Sequence, residues 1–180
     1  MQVALRDRIS ALAEANVDNL FSYFARRVIP RDEAADLVGE TMLVVWRRAG
    51  DAPADDDAAR MWMFGIARRV RLNHERGRRR RMALTSRLRD EIVSGMTTLD
   101  PGDRADALRS AIRRLPPKQR EVVLLVNGDG FTLVEAATIM KTSSSTTRSR
   151  HSYALTALHS HLTGGEGIGS SLTSATASDG

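Results

Sequence analysis

The strongest constraint on how this chain can fold is a run of helix start and stop signals between Leu115 and Leu162. Leu115-Pro116-Pro117 ends one helix and opens the next, because a proline at a first helical position gives up a donor that had no intrahelical acceptor. The apolar run Val122, Val123, Leu125 and Val126 halts at Asn127-Gly128-Asp129-Gly130, a turn sequence. Thr132-Leu133-Val134-Glu135 then has capping-box spacing, so a short helix is expected from Leu133, with Val134, Ala137 and Met140 on one side. After a polar turn at Lys141-Thr142, Ser143, Ser144 and Ser145 offer N-caps for a last helix. That helix carries Arg148, Ser149, Arg150, Leu155, Leu158 and Leu162. A short helix, a tight turn and a second helix with arginines near its start is the geometry that enters a DNA major groove. Leu155, Leu158 and Leu162, at i, i+3 and i+7, are expected to face the core. With the helix starting at Ser143–Ser145, Arg148, one turn in, is expected to face the groove, leaving Arg150, about 200° away around the helix, for a phosphate.

The basic balance agrees with a nucleic-acid partner. The chain of 180 residues carries a formal charge of +5 and a pI near 10.6, and Lys118 and Lys141 are its only lysines. Arginine grips phosphate with a planar fork and reaches guanine edges, although a GC-rich genome would also favour it over lysine. Aromatic residues make up only 4%, which suits small helical cores of Ala, Val, Leu and Ile. With no cysteine, disulfides and thiolate metal sites are excluded. His74, His151, His159 and His161 form no metal-binding spacing, so no metal or cofactor is expected. No signal-like segment and no span of about 20 apolar residues is present, so a cytoplasmic protein is expected.

Upstream, three helices are expected: Gln2 to Val28 with a possible break at Asn16, a second after an Asp32 N-cap to about Arg48, and a third from Ala58 to Arg76. Pro30 separates the first two, and an acidic loop from Gly50 to Asp57 the last two. The weak apolar period from Met82 to Asp103 reads as a linker, with a helical turn around Ser86 to Val93. Thr163 to Gly180 is too rich in Gly, Ser and Thr to order itself. With no credible strand, the fold expected is all-α: two small helical domains, 1–81 and 104–163, joined by a flexible linker at 82–103, and a disordered tail at 164–180.

Two further constellations carry functional information. On the second helix, Asp36, Glu40, Leu43 and Arg47 share one face, which taken alone reads as solvated. On the third, Trp62 is better read as core, yet eleven arginines between Arg60 and Arg89 oppose the single acid Glu75. Such an excess points to nucleic acid, with Trp62, Arg68, Arg69, Arg71, Asn73 and Arg76 as candidate contacts.

The chain resembles a bacterial sigma factor of the extracytoplasmic-function (ECF) type. Region 2 is matched by Asp36-Leu37-Val38-Gly39-Glu40-Thr41 with Val45-Trp46, and by Trp62-Met63-Phe64-Gly65-Ile66-Ala67-Arg68 with the arginine run after it. Region 4 is matched by Leu115-Pro116-Pro117-Lys118-Gln119-Arg120-Glu121-Val122 and Thr146-Thr147-Arg148-Ser149-Arg150. The resemblance implies that Asp36, Glu40, Leu43 and Arg47 dock on the clamp helices of core RNA polymerase. It implies that the loop from Gly50 to Ala59 and the helix after it recognise and melt the −10 element, capturing a flipped base. The helix holding Ser144, Ser145, Arg148, Ser149 and Arg150 would read the −35 element. An anti-sigma factor is implied as a partner; a small-molecule substrate and catalytic residues are not.

Several positions depart from the family pattern. Gly39 stands where glutamine is usual, at a helix cost of about 1 kcal/mol relative to Ala. Arg69 and Asn73 replace the common Asn and Asp, Lys141 a glycine, and Thr142 and Thr147 aliphatic residues; a buried unpaired hydroxyl costs roughly 1–3 kcal/mol. A stand-alone helix-turn-helix regulator is the alternative, but it leaves the Asp36–Trp46 segment and the basic third helix unexplained. An RNA-binding protein or nucleic-acid enzyme is a third reading, but no paired carboxylates at metal spacing, phosphate-binding glycine loop or Ser/His/Asp arrangement in the sequence supports catalysis.

Overall fold

A computed structural model describes residues 2–87 and 104–163. The first stretch forms α1 (Gln2–Ala15), α2 (Val17–Ala25), α3 (Glu33–Arg47) and α4 (Asp56–Arg87); the second forms α5 (Arg104–Arg114), α6 (Pro117–Val123), α7 (Leu133–Met140) and α8 (Ser144–Thr163). The described residues contain no strand, and the architecture is all-α in two helical domains.

Local signals account for most boundaries. The expected first helix breaks at Asn16, whose buried side chain donates to the Leu12 carbonyl at 2.8 Å and so satisfies the end of α1. The Asp32 carboxylate accepts from the Glu33 amide and starts α3. Thr132 and Glu135 form a complete capping box at the start of α7. Ser143 caps α8 by accepting from the Thr146 amide at 3.2 Å. Lys141 is left-handed at φ 53°. The Thr142 amide reaches back to the Ala137 carbonyl and the Lys141 amide to that of Thr138, a Schellman closure of α7.

Three expectations are corrected. α4 does not stop at Arg76 but runs 32 residues to Arg87, because the arginines that follow are good helix formers and Gly77 alone weakens it. On α7 the buried face is Ala136, Ala137, Ile139 and Met140, while Val134 is 61% exposed. On α8 Thr147, Ala154 and Leu158 face the core, and Leu155 and Leu162 lie outside it. The smaller Thr147–Ala154–Leu158 stripe wins because α8 crosses α6 and α7 closely, and small residues permit that approach. The helical turn around Ser86 to Val93 falls largely outside the described residues, as does the tail.

Two apolar clusters build the core. The larger joins Ile9, Leu20, Tyr23 and Phe24 to Leu37, Val45, Met63, Phe64 and Val70, and continues into Val122, Leu125, Phe131, Ala136, Ile139 and Met140 of the second half. The smaller holds Ala111, Leu115, Val123, Ala154 and Leu158. The halves therefore share one core across the α4–α7 contact.

Candidate polymerase and nucleic-acid interfaces

Helix α3 turns one side inward through Leu37, Val38, Thr41, Met42 and Val45. The buried Thr41 hydroxyl is satisfied by donating to the Leu37 carbonyl at 2.7 Å. The opposite side presents Asp36, Gly39, Glu40, Leu43 and Arg47, all exposed, with Trp46 beside them. Leu43 is 51% exposed and Trp46 52%, so the face is an apolar pair edged by charges rather than a purely solvated surface. A Cβ built on Gly39 would meet nothing within 4 Å, so the glycine follows no packing demand within the chain.

The loop before α4 is pinned from α1. The Arg8 guanidinium donates to the Pro53 carbonyl at 2.5 Å, the Ala54 carbonyl at 2.9 Å and the Asp56 carboxylate at 2.6 Å. Arg8 carried no sequence signal, because its partners lie more than 40 residues away. Along α4, Trp62, Arg69, Asn73, Arg76 and Arg80 fall at steps of seven, four, three and four, which places them on one side of the helix. Arg69, Asn73, Arg76 and Arg80 are exposed there, and Trp62 is half-buried at its start. Arg76 donates to the Asn73 side chain at 2.9 Å.

Two expected contacts differ from that stripe. Arg68 is half-buried, and its Nε has no hydrogen-bond partner. Arg71 sits half a helical turn from Trp62 and Arg69 and is only 8% exposed. It points into the protein, where it binds Glu75 and Glu121, so it is corrected from a surface contact to an internal ion pair.

At the start of α8, Ser144, Ser145, Arg148 and Ser149 are exposed and Arg150 is half-buried. Thr147, between them, is fully buried and donates one turn back to the Ser143 carbonyl at 3.1 Å. The rotation rests on Thr147, Ala154 and Leu158 rather than on the leucine stripe, and this packing aims Arg148 farther outward than Arg150.

Residues 12–81 match the sigma-70 region 2 family and residues 111–159 match sigma-70 region 4. The chain belongs to the sigma-70 family. Among curated proteins, it is 28% identical over 145 residues to the ECF RNA polymerase sigma factor BldN of Streptomyces coelicolor. The match covers 77% of this chain and 54% of BldN, so the chain spans about half the length of that relative. Two solved structures share the fold. One is the sigma factor RpoE in complex with the anti-sigma factor NepR from Bartonella quintana, with TM-score 0.66, 23% identity and coverage of 87% of this chain and 95% of that one. The other is CnrH in complex with the cytosolic domain of CnrY, with TM-score 0.57, 22% identity and coverage of 91% and 90%.

Regions 2 and 4 meet at a charged and aromatic seam. The Glu121 carboxylate, on α6, accepts from the Tyr23 hydroxyl at 3.2 Å and from Arg71 at 2.7 Å, with the Arg27 Nε 3.5 Å away. Asp129, just past the wide π turn at Leu124–Gly128, receives Arg27 at 2.6 Å and Arg26 at 3.1 Å. Arg26 also donates to the Gly128 carbonyl at 2.6 Å. Phe131 packs edge-on against Phe64 at 4.9 Å, with Arg60 4.3 Å above the Phe131 ring. Burial, reinforced by the neighbouring Glu121, pushes the Tyr23 hydroxyl above its ordinary range. Burial also raises the Asp129 carboxyl, more than Arg27 and Arg26 lower it. For Arg71 burial works downward, but Glu121, Tyr23 and Glu75 overcome it and hold the guanidinium charged. One sequence cue pointed to this seam: Glu121 shares a helix face with Leu125, a carboxylate within an apolar stripe.

The described residues contain no group of three or more His, Cys, Asp or Glu that could hold a metal ion. None of the described helices is long and apolar enough to cross a membrane.

Proposed function

We propose that the chain is a transcription initiation factor, an ECF-type sigma factor that binds core RNA polymerase and directs it to promoters. The outer side of α3 (Asp36, Glu40, Leu43, Arg47, with Trp46 beside it) docks on polymerase. The Arg8-pinned loop and the Trp62–Arg69–Asn73–Arg76 side of α4 recognise and open the −10 element, with Arg68 at its margin. Ser144, Ser145, Arg148 and Ser149 read the −35 duplex, and Arg150 supports them at the backbone. The work is recognition, with no small-molecule substrate, and it takes place on the chromosome, in the cytoplasm. The RpoE–NepR complex supports an anti-sigma factor as a further partner.

The observation that carries this reading is the pairing of a region 2 match and a region 4 match in one chain, each with an exposed face of suitable chemistry. A stand-alone helix-turn-helix regulator needs only the second. The test is co-purification with core polymerase. Reversing Glu40 and Arg47 together should abolish capture of core enzyme while leaving the helical circular dichroism unchanged. Undiminished capture would remove α3 as the docking face.

A further inference from the structure

The loop that precedes α4 owes its shape to one residue of a helix far from it in sequence. We propose that Arg8, on α1, is a specificity-determining positioning residue for the −10 element. It orients the Pro53–Asp55 backbone so that two peptide N–H groups present themselves to an extruded base, while Arg8 itself touches no DNA. The inference rests on the assignment of this loop to the −10 element above.

The geometry begins with α1. Leu5, Ile9, Leu12 and Ala13 recur at helical spacing and seat the helix on the core, Ile9 fully buried and Ala13 nearly so. Arg8 stands at the edge of that stripe, one turn from Leu5 and from Leu12, so its direction follows from the seat of the helix. The loop arrives from the other side. Ala49 is buried beneath the short turn Ala49–Asp51, and Ala52 is extended at φ −69° and ψ 135°, the conformation favoured before a proline. From there the guanidinium takes over: the carbonyls of Pro53 and Ala54 and the Asp56 carboxylate all accept from it. Among the described residues no other side chain holds either carbonyl. Asp55 closes the loop by accepting from the Ala58 amide at 2.8 Å.

Two carbonyls turned toward α1 fix what lies behind them. In a trans peptide the carbonyl of one residue and the N–H of the next point in opposite directions, and both peptides that follow Pro53 are trans. The Ala54 and Asp55 N–H groups therefore point away from α1. Both residues are exposed, and among the described residues neither amide has an acceptor. Asp55 precedes Trp62 by seven residues, two turns earlier on the same side of α4. Two adjacent donors in line with the tryptophan can take the acceptor atoms of a base, its ring nitrogens and carbonyl oxygens. Bases differ in where those acceptors sit, so donors held in place discriminate and a wandering pair does not. The Arg8–Asp56 pair is open to water, at 29% and 70% side-chain exposure, so it adds little to stability. Its effect lies in the backbone it orients.

The test assembles the full-length chain with purified core RNA polymerase and offers it a promoter pool randomised at both elements. Open complexes are isolated and sequenced, and the ratio of best to worst base is read at each position. Arg8→Ala should flatten one −10 position by roughly ten-fold and leave the other −10 positions and the −35 motif as in the parent. Arg8→Lys keeps the charge but lacks the fork that holds two carbonyls and a carboxylate together, so it should keep part of that preference. Both variants should retain the helical circular dichroism of the parent. An unchanged −10 motif in Arg8→Ala overturns the proposal. So does a loss of yield spread evenly over every position, which is what a purely structural role would give. Helicity lost in both variants would overturn it as well, since Arg8 would then serve the fold. A parent that enriches no −10 base would instead remove the assignment of the loop to that element, and the Arg8 role with it.

Discussion

Region 2 and region 4 bury their side chains in different ways. Region 2 closes a core of its own from large residues, with Tyr23, Phe24, Phe64, Leu20 and Ile9 fully buried between α1, α2, α3 and α4. Region 4 divides its apolar residues. Ala111, Leu115, Val123, Ala154 and Leu158 form a private cluster of mostly small side chains, while Phe131, Leu125 and Ile139 join the core of region 2. Region 4 thus owes part of its order to region 2. Region 2 can be rigid because its two surfaces, the outer sides of α3 and α4, are already exposed. The exposed residues at the start of α8 remain outside the seam.

The largest effects should come from breaking the seam. Glu121→Ala leaves Arg71 and Arg27 buried without their shared carboxylate, which should cost about 3–5 kcal/mol of stability. Denaturation should then resolve into two transitions, region 4 melting first, where the parent shows one. Arg71→Ala should do the same, whereas Arg69→Ala, on the opposite side of α4, should leave the melting curve in place. It should instead reduce the salt dependence of binding to single-stranded −10 DNA by about one unit of slope. Equal stability losses for the two arginines would contradict their assignment to opposite sides.

Next in size is recognition by α8. Arg148→Ala should cost about 1–3 kcal/mol of promoter affinity and relax the choice of one −35 base pair. Arg150→Ala should weaken all promoters alike. Transcription from a set of −35 variants distinguishes the two, and the reverse pattern would mean that α8 is rotated differently from the Thr147–Ala154–Leu158 packing.

A smaller and opposite effect belongs to the turn before α8. Lys141 holds a left-handed backbone that costs an L side chain roughly 1 kcal/mol, so Lys141→Gly should raise stability by about that amount or somewhat less in a thermal melt. The smallest effect is pH-dependent. Burial, with the neighbouring Glu121, raises the Asp129 carboxyl above its ordinary range against Arg27 and Arg26, which lower it. A group raised in the folded state contributes stability fully below its unfolded value, and that contribution is lost as pH rises through the folded value. Thermal stability should therefore decline slightly as pH rises through the raised Asp129 value, and D129N should remove that decline.

Local signals made the helix ends legible. Asp32, Asn16, Ser143 and the Thr132–Glu135 box act within one turn of the chain, so the residues that stop or start a helix stand beside it in sequence. The outward residues of α3 were legible for a similar reason, since helical spacing alone sorts Asp36, Glu40, Leu43 and Arg47 to one side. Long-range choices were not legible. Leu155 and Leu162 are more apolar than Thr147 and Ala154, and nothing local says that the close crossing of α8 selects the smaller pair. The arginines of α4 look alike in sequence, and only partners such as Glu121, fifty residues away, separate Arg71 from Arg69.

Native-state hydrogen exchange on the full-length chain tests most directly whether region 4 depends on region 2 for its order. Expected is that Glu121→Ala sharply lowers the protection of amides in α6, the Leu124–Gly128 turn and α7, such as those of Leu125 and Ile139, while amides of α3 such as Val45 keep theirs. Unchanged protection in α6 and α7 would mean that region 4 stands on its own core and that the shared seam contributes nothing to it.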